Sequence, residues 1–178
     1  MRVLIISVNH QIQPAEIRGM STDGRVEAFE RDQKERFIQM LQTEIRKRGI
    51  RFIGEEARHD EATIAQRMRG FENLQYANIE MTPQERESRN IPPNYADTRS
   101  SLSEAEKARC NREREEYMCA KILAEAGGRE SILVICGRTH AGAIAGKLRE
   151  LGHSIETTDL RTRSWYIEDW AEHCMRNL

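Results

Sequence analysis

The sequence predicts a three-layer α/β domain, with a mostly parallel central sheet of about four to five strands and helices on both faces. Two observations carry that prediction. The apolar runs at Val3–Ser7 and Ile132–Cys136 are continuous rather than alternating, as expected of strands covered on both faces. Segments of helical periodicity separate the extended ones in the order β-α-β-α-(β)-α-β-α-β-α, the pattern of crossover connections in a parallel sheet.

The elements follow in order. Val3–Ser7 is the first strand, and polar Asn9, His10 and Gln11 leave it. After a polar stretch with Pro14, Gly19 and Gly24, the residues Phe29, Phe37, Ile38, Leu41 and Ile45 recur at helical spacing. Lys and Arg gather before Gly49, so this helix of some twenty residues has basic residues and a glycine at its stop. Ile50–Gly54 is the next strand, leading into Glu55 and Glu56. A short helix runs from Glu61 to Arg69. The span Tyr76–Met81 is a strand or an extended connection. Thr82-Pro83 reads as an N-cap with proline at the first helical position, and Asn90–Ser101 as a loop. Ser103-Glu-Ala-Glu106 opens like a capping box a charged helix that ends at Gly127-Gly128. Ile132–Cys136 is the clearest buried strand. A helix over Gly137–Leu151, a strand over His153–Thr158 and a C-terminal helix over Tyr166–Met175 complete the chain.

At 178 residues, without internal repeats or low-complexity segments, the chain reads as a single domain, 1–178. Such a fold buries roughly 70% of its unfolded surface and needs no disulfide or metal staple. The 28 Lys and Arg against 29 Asp and Glu leave a net charge of −1, which argues against a nucleic-acid partner. Mean hydropathy is −0.73, and no stretch approaches the ~20 apolar residues of a membrane span. The N-terminal run is too short for a signal peptide. The expected location is cytoplasmic. Cys110, Cys119, Cys136 and Cys174 show no CxxC-like spacing, so neither cysteine zinc nor a disulfide framework is expected.

In open parallel sheets, ligands bind beyond the carboxyl ends of the strands. That rule places Asn9, His10, Gln11 and Gln13 after the first strand and Glu55 and Glu56 after the second. Arg138, Thr139 and His140 follow the fourth, and Asp159 the last. Histidines and carboxylates converging on one rim suit general acid–base chemistry or a single metal. Adjacent glutamates on an extended backbone face opposite ways, so only one of Glu55 and Glu56 need enter the site. His140 sits at a helix start, where the dipole disfavours a charged imidazole. No GxGxxG or GxxxxGK[ST] is present, so no nucleotide motif is found. Of the arginines at 86, 89, 112 and 114, most are expected in solvated pairs, with one or two serving as counter-charge or anion clamp.

Glu113-Arg-Glu-Glu-Tyr-Met118, Ile132-Leu-Val-Ile-Cys-Gly137, Arg-Thr-His140 and Leu148-Arg-Glu-Leu-Gly152 together resemble the C-terminal half of TraB-type proteins. There an "ER" helix leads to a strand, a GxxH turn and a helix ending in LRxxG. Their superfamily includes the Tiki proteases, the erythromycin esterases and the haem-binding ChaN proteins. Its earlier GxxH is matched by Ser7-Val-Asn-His10, which keeps the histidine without the glycine, and its glutamates by Glu55-Glu56. The resemblance spans 113–152 and is positional before that. It implies a pocket of His10, His140, one or both of Glu55 and Glu56, and Arg114.

The leading expectation is a small hydrolase acting on an ester, amide or similar small molecule. His10 or His140 is the general base, Glu55 or Glu56 orients water or shares a divalent metal, and Arg114 polarises the substrate. The alternative is a non-catalytic protein holding an anion, nucleotide or haem in the same cleft. A scaffold role rests only on the charged helix 103–126, whose pattern is too irregular for a coiled coil.

Overall fold

The computed structural model describes residues 1–16, 24–93, 95–96, 100–168 and 173. Its sheet is built from β1 (Arg2–Val8), β2 (Phe52–Glu55), β3 (Gln75–Asn78), β4 (Ser131–Gly137) and β5 (Ser154–Asp159), in the order β3-β2-β4-β1-β5. Every pairing is parallel. The central strand β4 is buried along its whole length. The expected fold class is therefore the observed one.

Alternation along the strands divides the core in two. Leu4, Ile6, Val8, Ile53, Leu133 and Ile135 face one side and pack against Phe37, Leu41 and Ile45 of α1 (Gly24–Arg48) and Ile64 of α2 (Ile64–Arg67). Val3, Ile5, Phe52, Ile132, Val134 and Cys136 face the other. They meet Met118, Cys119 and Ile122 from the long helix after the 90s loop, and Ile144 and Leu148 from the helix after β4. Those helices are α4 (Glu104–Ala126) and α5 (Arg138–Glu150); α3 (Pro83–Ser88) follows β3.

Local sequence explains the boundaries. Thr63, Thr82 and Ser103 each accept from the N3 backbone, while Gln66, Glu85 and Glu106 return the bond to the cap backbone. All three are complete capping boxes, each satisfying amides a helix start leaves free. Gly127 closes α4 at φ 55°, a conformation glycine adopts without a side-chain clash. α1 begins earlier than its apolar spacing indicated, at Gly24. The helix expected over Tyr166–Met175 is not formed at 166–168, while His173 is helical; the rest of that span lies outside the described residues. Cys110, Cys119 and Cys136 are buried free thiols, and Cys174 lies outside the described residues.

Candidate functional site

The strand order decides what meets. β2, β4 and β1 are consecutive neighbours, so the residues leaving their carboxyl ends share one rim. Glu56 is the hub. Its Oε2 accepts from the Gly137 backbone N–H at 2.8 Å, and its Oε1 from Arg114 Nη2 at 2.9 Å. Oε1 also lies 3.8 Å from His10 Nε2 and 3.7 Å from His140 Nε2. The sheet's alternation explains why Glu56, rather than Glu55, is the member in contact with α4 and α5. Glu56 has the parity of Phe52, which faces those helices. Glu55 has the parity of Ile53, which faces α1 and α2.

Arg114 enters because it falls on the buried stripe of α4, at four-residue spacing with Cys110, Met118 and Ile122. A guanidinium has five N–H donors, and the protein uses all of them. Nε donates to Glu80 Oε1 at 3.3 Å, Nη1 to Tyr95 Oη at 2.7 Å and to His140 Nε2 at 3.2 Å, and Nη2 to Glu56 and Glu80. Burial works against the charged form, but Glu80 and Glu56 hold Arg114 firmly protonated. Burial likewise raises the Glu80 carboxyl, and the Arg114 bonds with the charges of Arg114 and Arg86 outweigh it, leaving it below the ordinary value.

His140 is positioned by α5 and by Glu115, whose Oε1 lies 3.1 Å from Nδ1. Arg114 presents only hydrogens, so Nε2 is the acceptor and Nδ1 carries the proton. Both imidazole nitrogens are therefore engaged. His10 differs: its side chain is 55% exposed, and among the described residues only its Nδ1 is bonded, to Gln13 Oε1 at 2.5 Å. The Gln13 amide cannot turn round, because its Nε2 donates to the Glu56 carbonyl at 2.9 Å and to Glu55 Oε1 at 3.0 Å. Gln13 thus fixes the proton on Nδ1 and leaves His10 Nε2 as the lone-pair nitrogen, beside Glu56 and Gly137.

Glu55 is fully buried and anchors this arrangement from behind. Besides Gln13, it accepts from Thr63 Oγ1 at 2.5 Å and Tyr76 Oη at 3.0 Å. Burial pushes its carboxyl up to about 7, against the pull of those three bonds. Burial also pushes up the Cys136 thiol, which makes it a poor nucleophile.

The structure thus brings His10, Glu56, Arg114 and His140 into one cluster, with Glu55 one residue removed through Gln13. Asp159 stands apart, capping the following turn and bonded to Arg161. Of the other arginines, Arg86 joins the cluster through Glu80 at 3.1 Å, while Arg89 lies over the Tyr117 ring. The sequence reading missed Glu80, Tyr95 and Glu115. Glu80 did leave a signal, as a lone carboxylate between Ile79 and Met81, buried neighbours that demand a partner for it.

The divalent metal considered for this rim does not fit the donor set. Between Glu56 and Glu80, where a cation would sit, lies the Arg114 guanidinium. Among the described residues, no group of three or more His, Cys, Asp or Glu side chains is placed to hold an ion. The start of the loop after α3 flanks a cleft that adjoins the cluster at Glu80 and Arg86. Among the described residues, no helix is long and apolar enough to cross a membrane. Comparison with protein families, curated proteins and solved structures returned no match to the chain.

Proposed function

We propose that the chain is a small hydrolase whose general base is His10, acting on an ester, amide or similar carbonyl substrate. One observation carries the reading: an exposed imidazole whose tautomer is fixed from below by a buried glutamine. A catalytic histidine needs such an orienting partner, whereas a solvated surface histidine has no use for one.

In this reading His10 Nε2 removes a proton from water as the water oxygen attacks the substrate carbonyl. The imidazolium that forms lies 3.8 Å from Glu56 Oε1, whose charge stabilises it. The proton then passes to the leaving oxygen or nitrogen, and His10 returns to its starting tautomer. The first turn of α5, which lacks a side-chain cap, supplies backbone N–H groups suited to the developing oxyanion. Arg114 serves as the positioning residue that holds Glu56, and His140 as the one that holds Arg114, because neither has a donor or lone pair left for substrate. That revises the parts expected of them as substrate polariser and alternative base.

The test is a panel of nitrophenyl esters and nitroanilides. Wild type is expected to turn over at least one, and His10→Ala to lose about 10²–10⁴-fold in kcat/KM, the range typical of a general base. His153→Ala, at a residue outside the cluster, serves as the control and keeps its rate. No turnover by wild type anywhere in the panel, or a His10→Ala variant at the wild-type rate, refutes the proposal.

A further inference from the structure

β4 and β5 lie on either side of β1, so the helix that joins them, α5, crosses β1 and packs on it. Its start lies over the end of that strand. Ser7 is the next-to-last residue of β1, and alternation puts its side chain with those of Val3 and Ile5, on the face α5 covers. In register it stands beside Cys136, one residue before Gly137, the cap from which α5 begins. Ser7 is only 7% exposed. Buried hydroxyls ordinarily have a partner, but among the described residues this one has none, and its oxygen is not sealed from solvent.

The first amides of α5 are unclaimed as well. A helix start leaves its N–H groups without intrahelical acceptors, and no side chain caps this one. The charges nearby are spent on each other: Arg138 on Glu168, and Asp159, which neighbours Ser7 in the β1–β5 register, on Arg161. Neutral donors beside the positive end of a helix dipole suit one oxygen carrying a single negative charge. They do not suit a phosphate dianion. We propose that Ser7 Oγ donates to the substrate carbonyl oxygen as it becomes an oxyanion, alongside the amides of α5. Ser7 keeps its proton throughout and is not the nucleophile. Its part in turnover rests on the hydrolysis assigned to His10, and the two groups meet at one residue: a methyl on Gly137 would stand 2.9 Å from His10 Nε2.

The probe is 4-nitrophenyl methylphosphonate, a tetrahedral monoanion shaped like the intermediate of 4-nitrophenyl acetate hydrolysis. Calorimetry on the full chain is expected to show binding that Ser7→Ala weakens about ten-fold or more, the loss of one hydrogen bond to a charged group. On the ester, Ser7→Ala should lower kcat about 10²-fold and leave KM alone. Its Tm should match wild type, because Ser7 bonds to nothing in the protein. His10→Ala should still bind the phosphonate, which separates the two proposals. Phosphonate binding that depends on Ser7, without turnover of any ester, overturns hydrolysis at His10 and upholds the oxyanion site. If Ser7→Ala does not fold, amide NMR of wild type decides, with shifts expected at Ser7, Thr139 and His140. No binding of the phosphonate at millimolar concentration, equal binding by a folded Ser7→Ala, or no shift at those amides overturns the assignment.

Discussion

Replacing Gly137 by alanine tests His10 with little disturbance of the fold. Gly137 has φ −62° and ψ 149°, a conformation open to any L-residue, so the change imposes no backbone strain. Its added methyl would stand 2.9 Å from His10 Nε2 and 3.4 Å from Glu56 Oε2. Ordinary contact requires about 0.5 Å more at the imidazole, and the half-exposed ring is the partner free to yield. Moving it lengthens the His10–Gln13 bond and withdraws Nε2 from Glu56. Displacements of order 1 Å in a reacting group cost up to about 10²-fold, so the expected loss in kcat/KM is about 10- to 100-fold. Stability should change little. Alanine restricts the unfolded chain, worth about 0.4–1 kcal/mol, and is a poorer N-cap than glycine, so the two effects largely cancel. A net 1 kcal/mol corresponds to about 2–4 °C in Tm for a chain of this size. Nitrophenyl ester kinetics and thermal melting are the paired assays. An unchanged rate refutes the placement of His10 Nε2 at the reacting centre. A large fall in Tm refutes the claim that the methyl meets only a movable ring.

Other expectations follow from the same geometry. His140→Ala strands Arg114 Nη1 and Glu115 Oε1 in the interior, so about 2–4 kcal/mol of stability should be lost; a urea midpoint equal to wild type counts against the buried hydrogen-bond network. Glu56→Gln leaves the Arg114 charge with one fewer counter-ion and should cost about 3–5 kcal/mol, the range for one partner removed from a buried pair; denaturant melts measure it, and a loss below about 1 kcal/mol argues against Glu56 as the hub. Glu55 carries a pH signature. Its folded carboxyl titrates at about 7, above its unfolded value, so its contribution is complete below about pH 4.5 and is lost as pH rises to about 7. The fall is about 3 kcal/mol, and Glu55→Gln should remove that slope; a wild-type profile flat between these limits, or a slope surviving the substitution, contradicts it.

Much of the site was legible because the rule for parallel sheets needs only strand ends, and the continuous runs at Val3–Ser7 and Ile132–Cys136 mark two of those plainly. Strand order was not legible. Nothing in the periodicity of β1 or β2 says that β4 lies between them, and that placement is what makes His10 and His140 neighbours of one carboxylate. The division between Glu55 and Glu56 was foreseen as a consequence of alternation, but which of them faced α4 depended on how the helices are distributed over the sheet. Arg114 emerged from a crowd of charges because of its spacing from Cys110 and Met118. Glu115 carries a similar spacing signal, three, four and seven residues before Met118, Cys119 and Ile122, on the side of α4 where α5 brings His140 to it. Tyr95 and Glu80 lie in connections, where pattern carries little and tertiary packing decides.

The middle position of β4 also has a bearing on how the protein is made. Synthesis delivers β1 and β2 early, yet they do not touch each other: the strand that joins them is the fourth, starting at Ser131. Until the ribosome has released that segment, the growing chain has two hydrophobic strands with unpaired edges and no means of closing the sheet. Such edges invite pairing with other chains. The long wait for a distant partner makes the assembly slow, since pairings remote in sequence require large loops to close first. A fragment ending at Glu130 is accordingly expected to remain unfolded and prone to clump. The nascent protein therefore needs shelter until the last quarter of the sequence emerges, and the Gly137 amide that anchors Glu56 arrives within that same stretch.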